Sequence, residues 1–211
     1  VYKRQTLMIA CSHSGNTAET VQAALYAQKH GASVVALTFN AGSKLDLQLP
    51  DYTSIVYEWG EGVSSRNKPE GIVLALMNEL LAQNEPGYAL YEAINNGLDK
   101  IDGIVASACK KIQNSAWLFA QAHHDAPMIY ILGSGAAFSQ AYAMAICSLQ
   151  EMQWMDCCYI HSGEYFHGPF ECTDGKTPYI LMKSLGKTRA LDERAEAFLA
   201  KYACLLYTSD A

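Results

Sequence analysis

Residues 7–39 read LMIACSHSGNTAETVQAALYAQKHGASVVALTF, and this stretch decides the fold. It begins with an apolar run, Leu7 to Cys11, passes through a small polar loop, and continues as a helical pattern from Thr17 to His30. A second apolar run follows from Ser33 to Phe39, and its continuous character is typical of a strand covered on both faces. A strand, a helix and a strand in this order predict a parallel sheet flanked by helices.

The same strand–loop–helix pattern occurs again after Pro127. Residues 128–132 (MIYIL) read as a strand, 133–135 as a glycine–serine loop, and 136–154 as a long, largely apolar helix. Two such units predict an α/β fold with two domains of one kind, each with a parallel sheet flanked by helices in a flavodoxin-like, three-layer arrangement. Further strands are expected at 54–57 and 178–182, a helix at 191–202, and two or three helical patterns between 70 and 124.

Composition narrows the classes of function. Half of the 211 residues are apolar, 17% are charged, and the net charge is −6. An acidic chain without a basic run is a poor candidate for binding nucleic acid, whose phosphates require clustered Lys and Arg. No stretch approaches the roughly 20 apolar residues of a membrane-spanning helix. The seven cysteines form no CxxC pair and no zinc spacing with histidines, so we expect a soluble, cytoplasmic protein with reduced cysteines.

The loop between the first strand and the first helix, Ser12 to Thr17, has the chemistry of a phosphate site. A helix N-terminus presents unpaired N–H groups and a partial positive charge. The hydroxyls of Ser12, Ser14 and Thr17 can donate to phosphate oxygens, and Gly15 allows the backbone to approach closely. The alternative is an ordinary N-cap turn, although a cap requires one hydroxyl rather than three.

The second repeat carries two titratable residues of interest. Glu151 ends a mostly apolar helix, where partial burial would raise its pKa towards the range useful for proton abstraction. His167 lies in a His-Gly-Pro turn and can exchange protons near neutral pH. Alternatives are a structural carboxylate and histidine, or a metal site formed by His161, Glu164 and His167.

The loop and its helix carry a family resemblance. The run SHSGNTAET, residues 12–20, resembles the SxSGxTxET signature of the sugar isomerase (SIS) domain family. The resemblance implies that Ser12, His13, Ser14 and Thr17 contact the phosphate of a phosphosugar substrate.

A shorter match follows at residues 61–65 (EGVSS). It resembles the Gly-Val-x-Ser stretch in the sugar domain of glucosamine-6-phosphate synthase. The match implies that Val63 and Ser65 contact the sugar, and a solvated loop is the alternative.

Residues 149–154 (LQEMQW) and 160–171 (IHSGEYFHGPFE) resemble the fructosamine (fructoselysine) 6-phosphate deglycases within the same family, and 191–195 (LDERA) supports that subgroup. The resemblance implies that Glu151 moves a proton between C1 and C2 of the sugar. His167 would help to open the sugar ring and often comes from a neighbouring subunit, which implies a homodimer with the active site at the interface. Glu164 would orient the turn or contact the amine end, and neither a metal nor another cofactor is required.

The resemblance covers nearly all of residues 6–203 and implies a domain order. We expect a first SIS domain at 6–85 that lacks an upstream segment, a helical connector at 86–125, and a second SIS domain at 126–203 that is truncated at its C-terminal end. Residues 1–5 and 204–211 resemble translated adaptor tails and are expected not to be native.

The implied reaction is cleavage of fructosamine 6-phosphates, such as fructoselysine 6-phosphate, to glucose 6-phosphate and a free amine or amino acid. One alternative is an isomerase, aminotransferase or deaminase acting on fructose 6-phosphate or glucosamine 6-phosphate. Another is a non-catalytic SIS regulator that senses phosphosugars. Such a sensor needs the loop but not Glu151 with His167, so both residues together favour an enzyme.

Overall fold

The structure, a computed structural model, describes residues 6–49, 53–203 and 206–208. The chain divides into two compact units, Val1–Ala108 and Cys109–Ala211, and the division falls inside a long helix. Each unit contains its own parallel sheet.

The first unit is built on a three-stranded sheet in the order β1 (Leu7–Cys11), β2 (Ser33–Thr38), β3 (Ser54–Val56). Both strand pairs are parallel, as the connecting helix requires. Helix α1 (Ala18–Lys29) and the short α2 (Lys44–Leu47) cover one face. Small side chains dominate this core, which lets helix and sheet approach closely; its buried members are Ala10, Val21, Ala24, Ala27, Ala32, Val34, Ala36, Leu45 and Leu49.

Two further helices follow the first sheet. Helix α3 (Pro69–Asn84) begins with proline at its first position, where the missing N–H costs no helical hydrogen bond. Helix α4 (Tyr91–His123) has 33 residues, and α3 and α4 together are the two helices of the two or three predicted in 70–124. Most of its side chains are exposed.

The second unit contains a four-stranded parallel sheet in the order β5 (Cys157–His161), β4 (Ile129–Gly133), β6 (Tyr179–Met182), β7 (Leu206–Thr208). Alternate residues of β4 enter two different cores, because successive side chains of a strand point to opposite faces. Leu132 packs with α6 (Arg189–Tyr202), and Ile129 and Ile131 pack with α5 (Gly135–Ala143). The sheet therefore lies between two helical layers.

The predicted fold class is confirmed: the chain is α/β, with parallel sheets flanked by helices. Among the strands and α-helices of the described residues, α2, β5 and β7 were not predicted. The expected helix at 136–154 is two pieces, because α5 continues as a π-helical turn, Met144–Glu151.

The domain boundaries at 85/86 and 125/126 stay a prediction. Strand β7, at 206–208, lies inside the segment expected to be a non-native tail and pairs with β6. The remaining tail positions, 1–5, 204–205 and 209–211, lie outside the described residues. None of the helices within the described ranges is both long and apolar enough to cross a membrane.

Candidate functional site

The loop after β1 clusters its hydroxyls at the N-terminus of α1. Ser12 is buried, and its Oγ lies 3.0 Å from Thr17 Oγ1 while accepting the N–H of Gly15 at 3.1 Å. The N–H of Ser12 donates to Leu37 O at 3.0 Å, which extends the pairing of β1 with β2 by one residue. The sheet thus fixes one end of the loop, and the helix fixes the other.

Gly15 is required by both conformation and space. Its φ is +64°, in the left-handed region that favours glycine. A Cβ atom here would overlap the side chain of Ser43 and lie 2.6 Å from Thr38 Oγ1. Ser43 Oγ is buried and, within the part of the chain that the structure describes, has no hydrogen-bond partner. Two hydroxyls from β2 and the turn after it therefore border the loop.

Side-chain amides hold the exposed part of the loop. Ser14 O accepts from Asn16 Nδ2 at 3.0 Å and from Asn40 Nδ2 at 3.2 Å. Asn16 Oδ1 accepts the N–H of Lys44 at 3.2 Å, which ties the loop to α2. Ser14 and Thr17 are exposed, so their hydroxyls are accessible to a ligand.

The ring of His13 belongs to an aromatic cluster. Its Nδ1 lies 2.9 Å from Tyr57 OH, and it stacks on Phe39 with ring centroids 5.0 Å apart and planes 6° apart. Trp59 meets the same ring edge-on at 5.2 Å. Burial raises the pKa of Tyr57, so its hydroxyl keeps its proton through the neutral range. The phosphate contact predicted for His13 stays a prediction.

The loop that holds Val63 and Ser65 is attached to α4. Ser64 Oγ donates to Asp102 Oδ2 at 2.6 Å, and the N–H of Ser65 donates to Asp102 Oδ1 at 2.9 Å. These hydrogen bonds lower the pKa of Asp102 to about 2. Val63 and Ser65 are half-buried, and their predicted contact with sugar is untested by this geometry.

In the second unit, Glu151 is the last residue of the π-helical turn Met144–Glu151. Such turns are rare and recur at functional sites. The side chain of Glu151 is exposed in the chain by itself. The next apolar side chains, Met152 and Trp154, are 70% and 91% exposed, and Trp154 ends the helix with a φ of +58°. Large exposed apolar side chains therefore border Glu151.

His167 lies in consecutive tight turns after β5. The N–H of Glu164 donates to His161 O at 2.8 Å, and the N–H of His167 donates to Glu164 O at 2.9 Å. Glu164 and His167 are exposed, whereas Tyr165 between them is fully buried. The buried tyrosine anchors the segment and leaves the two titratable side chains at the surface.

The alternative of a metal site gains no support from the geometry. Within residues 6–49, 53–203 and 206–208, no three His, Cys, Asp or Glu side chains form a group that could hold a metal ion. His161 Nδ1 instead accepts the N–H of Gly163 at 3.1 Å.

Glu151 and His167 lie beyond opposite ends of strand β5, an outer strand of the second sheet. Glu151 precedes β5, and His167 follows it. Gln150 Nε2 donates to Cys157 O at 2.9 Å, which places this end of the π-helical turn where β5 begins. A strand of five residues spans about 16 Å. One copy of the chain therefore presents the two residues at different ends of β5.

The sequence missed the residues that border the loop from β2 onwards: Thr38, Asn40, Ser43 and Tyr57. A signal existed, because the carboxyl ends of adjacent parallel strands meet at one edge of a sheet. Polar residues after the second strand could therefore have been placed beside Ser12.

Residues 1–55 match the family model described as "SIS domain". This first quarter of the chain is therefore similar to an SIS domain. It is 41% identical to the fructosamine deglycase FrlB of Bacillus subtilis over 207 residues, which are 98% of this chain and 62% of that protein. It is 24% identical to the fructoselysine 6-phosphate deglycase of Escherichia coli, covering 91% of this chain and 55% of the relative. The predicted resemblance to SIS proteins, and among them to fructosamine deglycases, is confirmed.

Solved structures of phosphosugar proteins share the fold of this chain. A Bacillus subtilis protein solved as a candidate phosphosugar isomerase matches with a TM-score of 0.92 and 38% identity, over 98% of this chain and 62% of that one. The C-terminal domain of glucosamine-fructose-6-phosphate aminotransferase from Francisella tularensis matches with a TM-score of 0.73 at 17% identity, over 96% and 58%, which shows the fold alone. The chain spans less than two thirds of the length of each of these relatives.

Proposed function

We propose that this SIS protein is a deglycase that cleaves fructosamine 6-phosphates to glucose 6-phosphate and a free amine or amino acid. The similarity to FrlB carries the proposal, since it extends over 98% of the chain at 41% identity. Three aminotransferases that the chain also resembles are 26% to 28% identical to it. The exposed Glu151 and His167 supply a base and an acid, which a phosphosugar sensor would not need.

The loop after β1 holds the phosphate of the substrate. The hydroxyls of Ser14 and Thr17 and the N–H groups at the start of α1 donate to its oxygens, while Ser12 keeps the loop in shape through Thr17 and Gly15. Hydroxyl and amide donors without a lysine suit a group that is bound and released in each turnover. His13 borders the phosphate, and Val63 and Ser65 contact the sugar.

The reaction begins with ring opening, in which His167 moves the proton between the ring oxygen and the C2 hydroxyl. Glu151 then removes a proton from C1, and the electrons of that C–H bond form the C1–C2 double bond of an enolamine. The C2 oxygen receives a proton from His167 at the same time.

Return of the proton from Glu151 to C2, with transfer of the N–H proton of the amine to His167, yields the imine of an aldose. Water adds to C1, the C1–N bond breaks, and the amine leaves with a proton while the sugar becomes glucose 6-phosphate. Glu164 orients the turn or faces the amine end of the substrate.

We infer that the active site is shared between two copies in a homodimer. Glu151 precedes and His167 follows β5, a strand about 16 Å long, so one copy presents the two residues at different ends of that strand. A twofold dimer brings Glu151 of one copy to His167 of the other and does so twice. The exposed Met152 and Trp154 beside Glu151 offer apolar area for that contact.

The test uses the full-length protein with 6-phosphofructosyl-lysine and an assay for glucose 6-phosphate. We expect product from the parent and a fall in kcat of about 10³-fold in Glu151→Gln, which keeps size but cannot take a proton. The matched control is Glu193→Gln, an exposed glutamate paired with Arg189 on α6. No product from the parent, or full turnover by Glu151→Gln, would sink the proposal. Product from glucosamine 6-phosphate or fructose 6-phosphate alone would favour the deaminase or isomerase.

A further inference from the structure

A fully buried carboxylate lies at the carboxyl edge of the second sheet. The side chain of Asp192, on α6, accepts from Ser134 Oγ at 2.7 Å, from Ser162 Oγ at 2.6 Å and from the N–H of Ser184 at 2.8 Å. The three serines are themselves buried. Burying a charge is strongly unfavourable unless hydrogen bonds replace its water, and three donors do so here.

The three donors come from the ends of three neighbouring strands. Ser134 directly follows β4, Ser162 directly follows β5, and Ser184 comes two residues after β6. Because these strands are parallel, their carboxyl ends meet at one edge, and the carboxylate of Asp192 joins them.

The surroundings repeat the plan of the loop after β1. Gly135 has a φ of +52°, and a Cβ there would lie 2.6 Å from Thr188 Oγ1 and 3.0 Å from Ser184 Oγ. Gly15 also has a positive φ and is crowded by two hydroxyl side chains. Both units therefore place a serine, a left-handed glycine and two further hydroxyls where a strand ends and a helix begins.

Helix α6 holds the segment 162–167 at both ends. Asp192 accepts from Ser162 at the start of the segment. Near its other end, the Arg194 guanidinium lies 4.0 Å from the ring centroid of Phe166, the neighbour of His167. Two charged side chains on α6 thus set the path of the segment that carries Glu164 and His167.

The serine, the left-handed glycine and the two further hydroxyls at the end of a strand are called the cradle of each unit. We propose that Asp192 is an internal anion that fills the cradle of the second unit, and that it is a positioning residue for the segment 162–167. The positioning role rests on the proposed function, whereas the filled cradle does not. The second unit then takes no substrate phosphate, because the chain supplies the anion itself. Shortening the side chain leaves a site for a small carboxylate.

The test is thermal unfolding of the full-length Asp192→Ala variant in about 0.2 M sodium formate and in sodium chloride at equal ionic strength. We expect the variant to melt about 10 °C below the parent in chloride, since three buried donors lose their acceptor. Formate should raise its Tm by roughly 4 °C over chloride and leave the parent unchanged.

Asp46→Ala is the matched control. The Asp46 carboxylate also accepts two hydrogen bonds, from Gly42 N–H at 2.7 Å and Ser54 Oγ at 2.6 Å, but it is only half-buried. Water replaces it there, so formate should not exceed chloride. Equal Tm values of Asp192→Ala in the two salts contradict the filled cradle. If that variant does not fold in chloride, recovery on refolding in formate supports the proposal, and equal failure in both salts contradicts it.

Steady-state kinetics of Asp192→Ala test whether this residue positions the segment 162–167. Well below its Tm, with the folded state checked by circular dichroism, Asp192→Ala should lose about 10²-fold in kcat with KM changed less than about threefold, because the phosphate loop is intact. Formate should restore part of kcat. If formate restores the Tm of Asp192→Ala but not its kcat, the positioning role is contradicted and the filled cradle is supported. An inactive parent would reject the proposed function but leave the melting comparison valid.

Discussion

The loop after β1 and the loop after β4 each connect a strand to the following helix. Of these two loops, only the loop after β4 donates a hydrogen bond to a buried carboxylate among the described residues. The first has six residues between strand and helix, and the second has only Ser134. In the described part of the chain, no carboxylate bonds to the hydroxyls of Ser12, Ser14 or Thr17, whereas Ser134 donates to the buried Asp192. The two loops thus differ in length and in the presence of a carboxylate from a nearby helix.

The largest expected effect concerns the second unit, where Glu151 and His167 lie beyond opposite ends of β5. Glu151→Gln and His167→Ala should each lose about 10³-fold in kcat. When the two inactive proteins are mixed and allowed to exchange subunits, the mixed dimer contains one site with both native residues. About a quarter of the sites in a random mixture are then intact, so about a quarter of the activity should return.

The control is a mixture in which both proteins carry Glu151→Gln, which should remain inactive. No recovery in the first mixture, with subunit exchange shown by a size or mass tag, would place both residues of a site in one copy. Glu151 and His167 would then act together without a dimer interface.

The next effect compares the two left-handed glycines. Gly15→Ala places a Cβ against Ser43 in a conformation unfavourable for alanine, and Gly135→Ala does the same against Thr188. We expect each to lower the free energy of unfolding by about 3 kcal/mol in urea denaturation. Gly103→Ala, in an open part of α4, is the control and should not destabilise. Unequal losses of unfolding free energy in Gly15→Ala and Gly135→Ala would show that the surroundings of the two glycines differ in rigidity.

A smaller effect separates binding from chemistry. Ser14→Ala removes one exposed hydroxyl from the phosphate loop and should raise KM about tenfold, with kcat nearly unchanged. Ser139→Ala is the control, because Ser139 is an exposed serine on α5 whose hydroxyl donates to Ala136 O within its own helix. An unchanged KM in Ser14→Ala would argue that backbone N–H groups alone hold the phosphate.

Much of the fold could be predicted, because continuous apolar runs and their helices are local signals. Strand β5, with the sequence CCYIH, was missed since its short run leads directly into the motif that suggested chemistry. The change from α5 to a π-helical turn has no equally simple signal, because both pieces have the same apolar composition.

The site was predictable where a single segment carries it and unpredictable where distant segments meet. The residues of the loop form one motif, but Ser43 and Tyr57 reach it only through the sheet. Asp192 left a signal in the sequence, since it shares the buried face of α6 with Ala195 and Leu199. A charged residue on an apolar stripe indicates a buried partner, although the sequence does not name it.

The smallest effect contrasts the buried Asp192 with the exposed Asp102, which binds another serine loop. Hydrogen bonds from Ser64 and Ser65 lower the pKa of Asp102 from 3.8 to about 2. A depressed pKa in the folded state stabilises the protein above the unfolded value, and this contribution is lost as pH falls through the folded value. The Tm difference between the parent and Asp102→Asn should therefore be constant above about pH 5 and shrink as pH falls below 4. Glu92→Gln, which removes a charge from the first turn of the same helix, is the control. A Tm difference that grows in acid would contradict the hydrogen-bonded carboxylate. Because solvent screens an exposed group, we expect this change in Tm to be the smallest of the four predicted effects.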